Sequence, residues 1–243
     1  MRVIIMNSSK NIFIGGWTQT WTQVPDSSFS YVMYGMVTSL KELKTGGGQG
    51  PNQPPIDTGS TKALWTYGGG FCKPEGYPTD DGIDAIVNAT VDNGWAGVDF
   101  DDECNMNIPN IIETMKRLKA AGKETSYTFI AGWAYNNNPD ARTVVQEIAN
   151  SGYCDRFVMM CYAAEMWDDQ TIKDNVGPAV EKTINFAGDC KKVILALTPA
   201  GLNAQNLEAF LNYVLDNQLG GLFIWNFKLL KRTDLDTIIN TLL

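Results

Sequence analysis

Residues 97–103 read Gly97-Val98-Asp99-Phe100-Asp101-Asp102-Glu103, GVDFDDE. An apolar approach, GWAGV over residues 94–98, leads into four carboxylates within five positions. The approach has the composition of a buried β-strand. Side chains alternate across a strand, so Asp99, Asp101 and Glu103 share one face, successive members about 6.5–7 Å apart. Three carboxyl groups so placed raise one another's pKa, and at least one can hold its proton near neutral pH. A solvated acidic loop or an oxygen-rich site for Mg or Ca would also give such a run. The apolar approach and the alternation favour a pair of carboxyl groups doing acid/base work.

Outward from this strand, similar apolar runs recur along the chain. Strands are predicted near 12–16, 30–37, 63–67, 96–101, 125–131, 156–161, 193–198 and 221–226. They are nearly continuous apolar runs, as parallel strands covered on both faces should be. Helix-period segments lie between them, at 80–93, 108–121, 139–150, 170–186, 203–218 and 232–242. Ile83, Ile86, Val87 and Val91 mark the first, and Gly122 closes the second as a C-cap. Strand starts fall about 28 to 37 residues apart, one βα unit each, except that the first two sit closer. The expected fold is a single α/β domain over 1–243, a (β/α)8 TIM barrel. A doubly wound open sheet is the competing architecture. No GxGxxG or GxxxxGK[ST] follows a strand, so its nucleotide-binding forms lose support.

Composition narrows the function. The chain has 243 residues, 44% hydrophobic and 19% charged, enough for a sizeable core. Its net charge of -8 disfavours nucleic acid and anionic membranes as partners. No apolar run reaches the length of a membrane helix, about 18–20 residues. Seven Trp and nine Tyr suit a neutral, flat-faced ligand such as a sugar. There is no His, which excludes Ser-His and Cys-His catalysis and His-containing zinc sites. The five Cys show no CxxC spacing, so no metal or cofactor is expected. The start, MRVIIM, has too short an apolar core for a secretory signal. Asn7-Ser8-Ser9 and Asn88-Ala89-Thr90 match the glycosylation sequon, a pattern that often arises by chance.

Residues 96–103, AGVDFDDE, resemble the strand-four motif DGxDxDxE of glycoside hydrolase family 18, the chitinase-like barrels, with Ala96 in place of the first Asp. Three more segments agree in order. TYGGG (66–70) is similar to the SxGG signature of strand three, MCY (160–162) to the MxY of strand six, and GGLFIW (220–225) to the strand-eight segment ending in Trp. The resemblance implies a retaining hydrolase of β-1,4 bonds in N-acetylglucosamine-containing, chitin-like glycans. Glu103 would be the general acid and the substrate's N-acetyl carbonyl the nucleophile. Asp101 would hold the acetamido N–H, Asp99 would share a proton with Asp101, and Tyr162 would bond the acetamido oxygen. Trp225 would floor the sugar subsite, with Tyr67, Gly68 and Met160 of the signatures lining it. Trp17, Trp21, Trp133, Tyr135 and Trp167, near predicted strand ends, are further groove candidates.

The departures matter as well. Ala163 stands where the family often has Asp or Asn after the strand-six Tyr, and Asp102 replaces a frequent Trp or aliphatic residue. VDFDDE also resembles endo-β-N-acetylglucosaminidases that cut N-glycans. A non-catalytic chitinase-like lectin, storage or structural protein is the competing class. Few residues separate the seventh strand from its helix, so the α+β insertion of many family members is expected to be absent. On the barrel reading Cys72 and Cys104 fall at the catalytic ends of neighbouring strands, and Cys154 and Cys190 at the opposite end. Both pairs are disulfide candidates, with Cys161 left as a buried thiol. Two disulfides would favour secretion or another oxidising compartment.

Overall fold

The computed structural model describes residues 12–45, 50–72, 78–132, 139–162 and 168–243. Eight parallel strands close into one barrel in chain order. They are β1 (Phe13–Thr18), β2 (Tyr31–Val37), β3 (Lys62–Gly68), β4 (Gly97–Asp101), β5 (Glu124–Ile130), β6 (Arg156–Met160), β7 (Val193–Leu197) and β8 (Gly221–Ile224). Closure is made by β1 on β8, with Phe13 opposite Gly221 and Gly16 opposite Ile224. Each predicted strand is present, its ends moved by a residue or two.

Helices cover the outside: α1 (Leu40–Thr45), α2 (Asp80–Asp92), α3 (Ile108–Ala120), α4 (Pro139–Ser151), α5 (Gly177–Ala187), α6 (Ala204–Asp216) and α7 (Arg232–Leu242). Their starts follow ordinary capping chemistry. The Thr79 hydroxyl accepts from Gly82 N–H, and Asn203 and Asn206 cap each other reciprocally at α6. The segment predicted as one helix over 170–186 is interrupted. A π-helical turn, Ile172–Val176, precedes Gly177 and Pro178. Proline has no N–H to continue the i→i−4 ladder, which accounts for the irregularity. Residues 198–203 alone connect β7 to α6, so no insertion domain stands there. Among the described residues no helix is long and apolar enough to cross a membrane.

No helix separates β1 from β2. Residues 19–30 return along the flank as turns. Trp21 stacks on Tyr34 with ring centroids 6.1 Å apart and meets Trp95 edge-on, which covers the outer face of β2 where a helix would otherwise pack. Trp21 therefore sits on the flank, away from the mouth of the barrel.

Strand alternation divides the core in two. Outward residues such as Trp65, Phe100, Phe129 and Leu195 join the apolar faces of the helices. Inward residues such as Met33, Leu64, Val158, Ile194 and Phe223 fill the bore. The N-terminal end of the bore is closed by charge. Arg156 Nη1 donates to Glu124 at 2.6 Å, Lys62 pairs with the same carboxylate, and Arg156 lies 4.2 Å from the Tyr31 ring centroid. The C-terminal end remains open.

Cys72 and Cys104 form a disulfide, Cα–Cα 6.2 Å. The second expected pair does not form: Cys154 and Cys190 are free thiols. The Cys154 side chain is buried and donates to the Arg156 carbonyl at 3.0 Å, turned into the core. Cys190 opens a 3-10 turn at the surface layer. Cys161 is a fully buried thiol.

Candidate active site

A cavity of about 290 Å³ opens at the C-terminal end of the barrel. Each strand that contributes does so at its end or just beyond it, where TIM barrels carry their sites. Trp17 comes from β1, Met36 from β2, Gly68 and Gly70 from the end of β3, Asp101 and Glu103 from β4, Met160 and Tyr162 from β6, and Trp225 from β8.

The carboxylates differ sharply in their surroundings. Asp99 is buried in the bore and accepts four hydrogen bonds. Ser126 and Thr128 hydroxyls donate to Oδ1, each at 2.7 Å, and Trp17 Nε1 and the Thr66 hydroxyl donate to Oδ2 at 3.0 and 3.2 Å. Thr66 on β3 and Ser126 and Thr128 on β5 come from the flanking strands, Thr66 and Ser126 level with Asp99 in the ladder, and Trp17 reaches across the bore from β1. Burial still raises its pKa, with these donors opposing the shift.

Asp101, two residues on, is 3% exposed and has no such cage. Its Oδ1 is buried with no hydrogen-bond partner among the described residues. Burial first, then the charges of Asp99, Glu103 and Asp102, push its pKa well above the ordinary value. Four donors thus favour the anion of Asp99, while burial and like charge favour the protonated form of Asp101. Glu103 projects into the cleft. Partial burial raises its pKa, and the Gly70 N–H pulls it back in part. The Tyr162 hydroxyl is raised well above its usual value by burial and by Asp101 and Glu103.

Glycine shapes the rim. Gly68 and Gly69 have φ of 109° and 94°. A Cβ on Gly68 would collide with the Asp101 carbonyl and the Met106 side chain. Only glycine lets the end of β3 close over the end of β4, where Gly69 N–H donates to Asp101 O at 2.8 Å.

Most of the sequence-derived candidates meet here: Asp101, Glu103, Tyr162, Trp225, Gly68 and Met160 line the cavity, with Trp17 at its floor. Asp99 lies beneath them. Tyr67 does not reach the cavity; it faces outward, level with Phe100 and edge-on to Trp65. Trp133, Tyr135, Ala163 and Trp167 lie outside the described residues. Gln19, Met36, Thr38 and Phe71 also line the cavity and carry no motif, and Gly70, last of the TYGGG segment, joins them. Phe71 is 85% exposed at the rim. Position just past a strand end is the one signal that could have found them.

No family model matches the sequence. No curated protein matches it either. Solved structures do. A family 18 chitinase from Pseudoalteromonas aurantia superposes with a TM-score of 0.72 at 15% identity, covering 95% of this chain and 100% of that one. A family 18 chitinase from Cycas revoluta, solved with allosamidin, gives 0.65 at 14% identity over 94% and 99%. A fungal family 18 endo-β-N-acetylglucosaminidase gives 0.64 at 16% identity over 94% and 96%. The chain has the single-domain (β/α)8 fold of the family 18 glycoside hydrolases.

Proposed function

We propose that the protein hydrolyses β-1,4 bonds in glycans containing N-acetylglucosamine, with retention and with assistance from the substrate. The observation that carries this reading is the pairing of a buried Asp101, its pKa raised and one oxygen unpartnered among the described residues, with Glu103 in the open cleft above it. Two carboxyl groups whose surroundings separate their roles suit glycosidic chemistry. Glu103, its proton held by partial burial, protonates the leaving oxygen. The acetamido carbonyl oxygen of the same sugar attacks C1, and the glycosidic bond breaks to give an oxazolinium. Asp101 accepts the acetamido N–H at its open oxygen and turns the carbonyl toward C1. The Tyr162 hydroxyl donates to that carbonyl oxygen. Positive charge develops above the Asp99 carboxylate, whose field stabilises it. Water, deprotonated by Glu103, then opens the oxazolinium at C1. Two inversions at one carbon give net retention.

Trp225 supplies the apolar face beneath the reacting sugar. The open rim and the absence of an insertion after β7 favour endo cleavage. Among the similar structures, the Cycas revoluta chitinase also exists as a mutant in complex with (GlcNAc)4, which supports an N-acetylglucosamine oligosaccharide as ligand here. The Cys72–Cys104 disulfide supports an oxidising compartment.

The test is hydrolysis of N-acetylglucosamine oligomers and of a high-mannose N-glycopeptide, wild type beside Glu103→Gln. Loss of a general acid should lower the rate by about 10²–10⁴-fold. Oligomer binding without cleavage by the wild type would make this a sugar-binding barrel, and cleavage surviving Glu103→Gln would sink the mechanism. The basic limb of the pH–rate profile should lie above the ordinary glutamate value, because the acid must stay protonated and its pKa is raised.

A further inference from the structure

Glu103 lies in the connection over residues 102–107 that leads from β4 into α3. Alternation aims Asp102 away from the bore, and it is 1% exposed. Its Oδ2 accepts the Tyr127 hydroxyl at 2.7 Å. Its Oδ1 accepts the N–H of Met106 at 2.9 Å and of Cys104 at 3.3 Å. Burying a carboxyl group costs stability unless it is fully bonded. Here every bond holds either the turn that carries Glu103 or the β5 residue behind it. Such a group is a poor source of stability and a good organiser of backbone N–H groups.

A second tie reaches the same turn from the other side. Cys104, adjacent to Glu103, is bonded to Cys72. Cys72 N–H donates to Gly69 O at 2.9 Å, closing the tight turn over Gly69–Cys72. Gly70 in that turn lies against Glu103, where an added Cβ would sit 3.4 Å from both carboxylate oxygens. Glu103 thus stands between a hydrogen-bonded anchor on the β5 side and a covalent anchor on the β3 side. Asp102 and the disulfide keep out of the cleft.

We propose that Asp102 and the Cys72–Cys104 disulfide are the two positioning elements of Glu103, sharing the task so that each partly covers the loss of the other. The inference rests on Glu103 being the acid. Misplacing a catalytic group by about 1 Å can cost about 10²-fold. Asp102→Ala should therefore lower kcat by about 10–100-fold, with KM and oligomer affinity within about twofold. Asp102→Asn keeps an acceptor for the two N–H groups and should restore most of the rate. Mild reduction of the wild type should cost several-fold in kcat, and reduction of Asp102→Ala should cost more than the product of the two effects.

A second readout does not need activity. The Glu103 carboxyl, labelled with 13C and assigned by its loss in Glu103→Gln, should titrate at lower pH in Asp102→Ala and lower still once reduced, as the side chain gains solvent. Tyr127→Phe, which removes one bond only, should move it in the same direction if Asp102→Ala folds poorly. An unmoved titration with kcat within twofold would overturn the proposal. So would a parallel fall in kcat, oligomer affinity and Tm that Asp102→Asn fails to rescue, since that describes a merely structural residue. If the wild type cleaves no glycan, the functional reading fails while the titration still decides whether these groups position Glu103.

Discussion

The two ends of the barrel bore handle buried carboxylates in opposite ways. At the N-terminal end Glu124 meets Arg156 and Lys62, and burial, which alone would raise its pKa, is outweighed by the two cations. At the C-terminal end Asp101 meets other carboxylates and, among the described residues, no cation, so burial and like charge act together to raise it. One end is compensated by opposite charge. The other is left uncompensated, and that imbalance favours the protonated form of Asp101.

The largest effect that would break this contrast lies at the open end. Asp101→Ala should lower kcat by about 10²–10³-fold while the protein stays folded, measured as kcat against Tm. An equal loss of Tm would mean that the open end is structural after all. The next is Arg156→Ala, which strands Glu124 without its buried partner. It should destabilise by about 3–5 kcal/mol, a fall in Tm on the order of 10 °C, with the activity of the folded fraction within about twofold. Smaller is the gain from removing the imbalance. Asp101→Asn should stabilise the fold at neutral pH by about 1–2 kcal/mol, read by denaturant unfolding.

The smallest effect, and the sharpest in sign, is the pH dependence of stability. Glu124 has a lowered folded-state pKa, so its contribution is present above the ordinary value of 4.5 and is lost as pH falls through the folded one. Asp101 has a raised folded-state pKa, so the folded state binds the proton more tightly, and stability declines as pH rises from 3.8 toward the raised value. Glu124→Gln should flatten the acid limb of the stability curve, and Asp101→Asn the limb above it. If both substitutions flattened the same limb, the contrast between the ends would be wrong.

Much of this was legible in the sequence because it is local. Strand alternation in GVDFDDE aimed Asp99 and Asp101 inward and set Glu103 beyond them, and the βα period put them at the mouth of a closed barrel. The absence of His left the chemistry to carboxylates. Tyr67 was misjudged by its place in a signature: its neighbours Thr66 and Gly68 take the inward face, so it must turn outward. Trp21 was judged by its nearness to a strand end, yet residues 19–30 fold back along the flank and take it to Tyr34. Cys154 and Cys190 share one end of the barrel, but side-chain direction decides a disulfide, and Cys154 points into the core.

The sequence by itself determined the period of the elements, the alternation along each strand and the acidic cluster on β4, since these depend on neighbours a few residues apart. Only the tertiary structure decided which carboxyl is surrounded by donors and which by other carboxyls. Asp99 and Asp101 are the same residue type two positions apart. Four donors reach Asp99 from β1, β3 and β5, and among the described residues none reaches Asp101; one setting favours the anion and the other the protonated acid, and that difference exists only once the barrel has closed.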